Sequence, residues 1–162
     1  MTAYSAVAAA YMNAKLGALT AKDRMLKLSN QQTELATQVC YIGTLAEDAR
    51  VKIRTEAKEQ VKTAENEGQP ISTSDAQFTD YQVIGDADFD FLSVNGDYDE
   101  AMKQVDDWKQ DLQAEVAAEE AKIKQQLDQA NIEYAEFNTQ AQAWQAQLQA
   151  DEQDFHTYGY TN

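Results

Sequence analysis

The sequence has very few residues that end helices or cross-link a fold. It contains one proline, Pro70, one cysteine, Cys40, and six glycines among 162 residues. A single cysteine excludes an intramolecular disulfide framework and a cysteine-based zinc site. Because proline and glycine interrupt helices, their scarcity leaves room for long helical segments. The abundance of Ala, Gln, Glu, Lys and Leu is typical of such helices.

Positive charge is scarce as well, mainly in the second half of the chain. Residues 71–162 carry four bases and twenty acids, a balance of −16, whereas residues 1–70 carry nine bases and eight acids, a balance of +1. An acidic half of this size repels phosphate backbones, so we expect no nucleic-acid partner.

Long hydrophobic runs are missing too. No stretch approaches the roughly 20 apolar residues that a membrane span requires. The N-terminal stretch MTAYSAVAAAYMNAK has neither a basic region nor a long apolar core, so it does not predict a cleaved leader. Two locations remain open, the cytoplasm and the extracellular space reached by a leaderless route.

The first 67 residues contain a sustained heptad pattern. From Tyr4 to Ile53, apolar residues recur at alternating spacings of three and four, with Gln32 as the one polar member. This period predicts a long coiled-coil helix over residues 1–67. The stretch Gly68-Gln69-Pro70 should end it.

A second helical pattern covers residues 98–153. Its apolar positions form a regular heptad from Ile123 onward, and before that they fit an 11-residue step, which predicts a stutter near Val116–Ile123. Asp97 should cap this helix, with Glu100 completing a capping box. Residues 154–162 form an aromatic tail without a helical pattern.

The intervening residues 68–97 have a different character. The pattern predicts a loop and a small β-hairpin, with strands at about 78–84 and 88–94, and Asn95-Gly96 as a turn. The predicted fold is therefore mainly α: a long antiparallel helical hairpin, one structural unit, with a short β-hairpin insert at its tip. Its predicted core comprises Met25, Leu28, Leu35, Val39, Ile42, Ile53, Leu112, Val116, Ile123, Leu127, Tyr134, Phe137, Trp144 and Leu148.

The insert also contains the one weak candidate for a metal site. Asp86, Asp88 and Asp90 occupy the first three acidic positions of a calcium-binding EF-hand loop. However, Phe91 stands where that loop needs glycine, and Asp97 stands where it needs a bidentate glutamate. We therefore interpret the stretch as part strand and part helix start, with Asp86, Asp88 and Asp90 on a solvated strand face. The sequence predicts no catalytic residues and no cofactor.

A second apolar row suggests how copies of the chain associate. Met12, Leu19, Leu26 and Cys40 lie beside the main heptad positions and widen the apolar face. A two-helix hairpin would leave this row in water, so we predict self-association through it, as an oligomer or filament. The aromatic tail Phe155–Tyr160 is either frayed or a docking peptide for another protein.

The layout resembles two families. The helix–insert–helix order, the leaderless N-terminus and the acidic middle at Asp75–Glu100 resemble the needle and filament subunits of bacterial type III secretion and related extracellular filaments. That resemblance implies a polymer core formed by Tyr4–Ile53 and Ile123–Leu148. A β-hairpin between coiled-coil helices is similar to prefoldin-like chaperones. We expect a non-enzymatic structural or assembly protein, with a cytosolic chaperone, an adaptor or a phage-particle component as alternatives.

Overall fold

The structure, a computed structural model, consists of two long helices joined by a small β insert. It describes residues 3–86, 88–89 and 91–160, with the backbone alone for 155–160. Helix α1 spans Ala3–Asn66 and helix α2 spans Tyr98–Tyr160. A 3-10 turn at Thr73–Asp75 and strands β1 (Gln77–Ile84) and β2 (Leu92–Asp97) lie between them. The predicted mainly-α hairpin with a β insert is confirmed.

The chain divides into two compact units. The first unit combines Met1–Thr33 with Glu120–Asn162, and the second unit is Glu34–Glu119. Along α1 the division falls next to Gln32, the polar residue in the heptad pattern. Along α2 it falls where the sequence predicts a stutter, between Val116 and Ile123.

In the first unit the two helical segments run antiparallel. The Tyr4 hydroxyl donates to Glu152 at 3.2 Å, and the Arg24 guanidinium donates to Glu133 at 3.0 Å. The seam between the segments is built largely from small side chains, which let helices approach closely. Its buried members are Ala14, Ala18, Ala21, Leu28, Ile123, Ala130 and Ala141.

The second unit has a thicker apolar core because the β insert packs on the helices. Ile42 and Ile53 of α1, Val94 of β2 and Val105 of α2 are all fully buried. Phe78, Val83 and Ile84 of β1 belong to the same cluster. Arg50 of α1 forms ion pairs with Asp106 of α2 and, at 3.3 Å, with Glu47. These contacts join both helices and the insert into one core.

The insert lies back along α1. Gln60 contacts Gln77 at the start of β1, the Lys52 ammonium donates to the carbonyl of Val83 at 3.3 Å, and Tyr41 contacts Asp86 beyond the strand's end. The contacts therefore move towards the beginning of α1 as β1 proceeds. The hairpin is not an extension beyond the helix ends but a layer on the side of α1.

The second strand begins later than predicted, at Leu92 rather than residue 88. Asp88 lies in the turn, where its N–H donates to the Asp86 carboxylate at 2.9 Å. The Phe89 ring packs against Tyr41 and Trp108, with ring centres 5.6 and 6.5 Å apart. These contacts hold the two residues in the connection. The interpretation of Asp86 and Asp88 as a solvated strand face is therefore wrong.

Asn95-Gly96, predicted as a turn, lies inside β2. Gly96 pairs with Phe78 across the sheet and has a φ of 100°, a conformation that favours glycine. The register shifts between Phe78 and Tyr81, which marks a β-bulge. Within it, Asp80 has a φ of 46° and donates its N–H to the Asn95 side chain at 2.8 Å. The Asn-Gly pair thus serves the bulge and not a chain reversal.

The two helix boundaries next to the insert lie close to where the sequence predicts them: α1 ends at Asn66 and α2 begins at Tyr98. Gly68, with a φ of 79°, follows the end of α1. The side chain of Asp97 caps α2 by accepting the N–H of Glu100 at 2.8 Å, as predicted. The far end of α2 differs: the helix continues to Tyr160, so the backbone of the predicted aromatic tail is helical as far as the structure describes it.

Candidate assembly surface

A row of large apolar side chains lies in solvent on the first unit. Met12, Leu19 and Leu26 are 57%, 65% and 59% exposed. Leu16, at 59%, lies in the same row. With about 3.6 residues per turn, these four positions share one face of α1, and that face turns away from the seam at Ala14, Ala18 and Ala21. We call Met12, Leu16, Leu19 and Leu26 the outer row.

Leu16 is the member that the sequence analysis did not include. It lies four residues after Met12 and three residues before Leu19, the same alternation that defines the main seam. The signal was therefore present in the sequence. A row at strict seven-residue steps from Met12 does not contain it.

The fourth residue predicted for self-association, Cys40, is exposed but belongs to the second unit. It is therefore not counted in the outer row. Its predicted role in association stays a prediction.

A groove of about 370 Å³ opens along one side of the outer row. Met12 and Leu19 form its apolar rim, and Lys15 and Lys22 bring two positive charges. Tyr134 and Asn138 of α2 line its other wall. The Lys15 ammonium lies 5.9 Å from the centre of the Tyr11 ring. The groove combines apolar and cationic groups, which suits a partner that carries both apolar and acidic side chains.

The opposite face of α2 in this unit has a different character. Ile132 is 53% exposed, and the carboxylates of Asp128 and Glu136, one turn before and one turn after it, are exposed too. Ile132 is two residues from buried Ala130, which places it on the far side of the helix from the seam.

Two further grooves belong to the second unit. One, of about 630 Å³, lies between α1 and β1 and is lined by Leu45, Val51, Lys52 and Ile84 among others. The other, of about 380 Å³, lies beside Phe89 and Leu112. Among the described residues that line them, neither groove places a nucleophile beside a general base.

The candidate calcium residues have other contacts. One carboxylate oxygen of Asp86 accepts the Tyr41 hydroxyl and the other accepts the N–H of Asp88. The Tyr41 hydroxyl, and then the Asp88 N–H, lower the pKa of Asp86. Asp90 lies outside the described residues. Within the described part of the chain, no three acidic, histidine or cysteine side chains form a metal-binding group.

The residues predicted for the helical core follow the pattern of burial with one exception. Leu28, Ile42, Ile53, Val116 and Ile123 are buried. Most of the others are half-buried: Met25, Leu35, Val39, Leu112, Leu127, Tyr134, Phe137 and Leu148. Trp144, at 38% exposed, is the least buried of the fourteen.

Comparison with known protein families, curated proteins and solved structures finds no match. Neither helix, over the residues described, is apolar for long enough to cross a bilayer. The predicted docking role of Phe155–Tyr160 depends on side chains outside the described part of the chain.

Proposed function

We propose that this protein is a non-enzymatic structural subunit that assembles with copies of itself through the outer row. One observation carries the proposal: four large apolar side chains, each more than half exposed, lie on one face of a single helix. Single exposed leucines are ordinary on protein surfaces, but a contiguous apolar strip is typical of an interaction site. The heptad spacing of the strip suits packing against another helix.

The form of the second unit supports assembly through helices and not through strands. Exposed strand edges are the usual route for chain-to-chain sheet pairing. The backbone of Gln77 on β1 is bound by the side chain of Gln60, and the backbone of Asn95 on β2 is bound by the side chain of Gln104. Each outer edge of the hairpin is thus occupied at one position by a helix side chain. A barrel built from such hairpins, as in prefoldin-like chaperones, would have to displace them.

Within this class we favour a subunit of a filament or surface structure. The support is the combination of a two-helix layout, an apolar row outside the main seam and a strongly acidic second half. In such an assembly the helices would form the core, and the acidic insert would face the surroundings. If the protein were instead a cytosolic adaptor, the chain would stay monomeric and bind a different protein.

The proposal is tested by measuring the particle mass of the wild type and of variants in solution. The double variant Leu19→Glu, Leu26→Glu places two charges in the outer row, and we expect a large loss of particle mass by size-exclusion chromatography with light scattering. Circular dichroism should show unchanged helicity, since glutamate is a good helix former. The control variant Asn13→Glu, Gln31→Glu adds the same charge on α1 outside the row and should keep the wild-type mass. A monomeric wild type, or an unchanged mass in the double variant, would overturn the proposal.

A further inference from the structure

The two exposed faces of the first unit differ in charge. Beside the outer row, Lys15 and Lys22 line the groove next to Met12 and Leu19. The one acid within the row, Asp23, forms an ion pair with Lys27 at 3.0 Å, so its charge is largely offset. The outer face of α2 carries Ile132 between Asp128 and Glu136. One face is therefore apolar and basic, and the other is apolar and acidic.

The spacing of these groups is complementary as well. On α1, Leu19 has Lys15 four residues before it and Lys22 three residues after it. On α2, Ile132 has acidic side chains four residues to either side. Side chains three and four residues apart stand one above another on a helix. With Leu19 against Ile132, each lysine comes beside a carboxylate whether the two helices run parallel or antiparallel.

We propose that the outer row of one copy is occupied by the face of α2 centred on Ile132 in a second copy. This inference rests on the proposed self-assembly and specifies its partner surface. The apolar contact supplies the attraction, and the flanking opposite charges select this face over others. If the outer row of one copy instead bound the outer row of another, four lysines would come together, two from each copy.

The geometry makes such a contact open-ended. The outer row faces away from the seam on one side of the helix pair, and Ile132 faces away from it on the other. A copy that has bound a neighbour through its outer row still presents its own Ile132 face. Contacts between two different surfaces of identical chains propagate into rings or filaments, whereas contacts between identical surfaces close as dimers.

A mixing experiment distinguishes these arrangements. The variant Leu19→Glu loses the outer row but retains the Ile132 face, and the variant Ile132→Glu loses that face but retains the outer row. Each alone should therefore be monomeric. Mixed in equal amounts, they should form a heterodimer of twice the 18.1 kDa monomer mass and grow no further, because both remaining faces are blocked. As a control, Val51→Glu places the same charge at an exposed site in the second unit and should assemble like the wild type.

The outcomes separate this inference from the proposed function. If Ile132→Glu keeps the wild-type mass and only Leu19→Glu reduces it, self-assembly stands but the Ile132 face is not its partner. If the wild type is a monomer at every concentration, both proposals are overturned. Charge reversal adds a second test: Lys15→Glu with Lys22→Glu should stop assembly, and adding Asp128→Lys and Glu136→Lys to the same chain should restore it. Failure of that rescue would overturn the charge pairing.

Discussion

Gln60 binds Gln77 as a neighbouring strand would. Its side-chain nitrogen donates to the backbone carbonyl of Gln77 at 2.7 Å, and its side-chain oxygen accepts the N–H of Gln77 at 2.9 Å. Gln104 of α2 forms the equivalent pair with Asn95, at 2.6 and 3.1 Å. A two-stranded hairpin alone is marginally stable in water. Here it is held from both sides by helix side chains, one from α1 and one from α2.

These amide pairs predict a measurable loss of stability. The substitution Gln60→Ala removes both hydrogen bonds to Gln77, as well as a 3.4 Å bond to Glu56, and leaves a backbone N–H and C=O of the strand without their partners. A typical net loss is about 1 kcal/mol per bond, so we expect the free energy of unfolding to fall by about 1–3 kcal/mol. Urea denaturation followed by circular dichroism measures this change. Gln110→Ala, at an exposed position of α2, should have almost no effect, and an equal loss in both variants would argue against the pairing.

The cap of α2 gives a second prediction. The Asp97 carboxylate accepts the N–H of Glu100, and the substitution Asp97→Ala should cost about 1 kcal/mol of unfolding free energy. Asp97→Asn keeps an acceptor in the same place, so it should retain most of the stability. Thermal unfolding of the two variants side by side checks the cap. Equal melting temperatures for Asp97→Ala and the wild type would contradict it.

The features that the sequence predicted correctly are those set by local spacing. The buried positions Ala18, Leu28 and Ile42 of α1 follow a fixed period in the sequence, and a period is visible without knowledge of the partner. Gly68 and Asp97 act within a few residues of their own helix ends, so their roles could also be predicted.

The features that were missed depend on residues distant in the chain. Asn95-Gly96 looks like a turn, but pairing with Phe78 and contact with Gln104 place it inside β2. Likewise Phe89 is held by Tyr41 and Trp108 and not by strand alternation. The layer formed by β1 on α1 has no local signal, because it depends on contacts between residues such as Lys52 and Val83.

The bond between Tyr41 and Asp86 predicts a dependence of stability on pH. Because the bond lowers the pKa of Asp86, its contribution is present above the ordinary value of 3.8 and is lost as the pH falls through the lowered value. Hydrogen bonding to Asp86, and then burial, raise the pKa of Tyr41. On the alkaline side the contribution is therefore present below the ordinary value of 10.0 and is lost as the pH rises through the raised value.

The variant Tyr41→Phe should accordingly be less stable than the wild type between these limits, and the difference should shrink at both extremes. Urea denaturation at a series of pH values gives the difference directly. The variant Asp86→Asn keeps a hydrogen-bond acceptor but has no carboxylate to protonate. The loss of this contribution to stability at low pH should therefore disappear in that variant. Both groups titrate within about pH 2 to pH 11. If the free energies of unfolding of the wild type and Tyr41→Phe differed by the same amount over this whole range, the assigned bond would be contradicted.

The two glycines within α1, Gly17 and Gly43, allow a matched pair of substitutions that tests the packing of the first unit. Replacing glycine by alanine inside a helix ordinarily stabilises it by about 1 kcal/mol, because the backbone of the unfolded chain loses freedom. Gly43 follows this rule, since a methyl group there would meet nothing within 4 Å. Gly17 does not, since the same methyl group would lie 2.5 Å from the ring of Phe137. The helices approach closely at that point because Gly17 has no side chain.

We therefore expect opposite signs for one chemical change. Gly43→Ala should raise the free energy of unfolding by about 1 kcal/mol, whereas Gly17→Ala should lower it, by about 1–3 kcal/mol for an overpacked contact. The double variant Gly17→Ala, Phe137→Leu relieves the clash at the cost of some buried area, and it should recover part of the loss. Denaturant unfolding of the four proteins, with the wild type as reference, measures each change. If Gly17→Ala stabilised the protein as much as Gly43→Ala, Phe137 would not lie against α1 at Gly17, and the antiparallel register of the first unit would have to be revised.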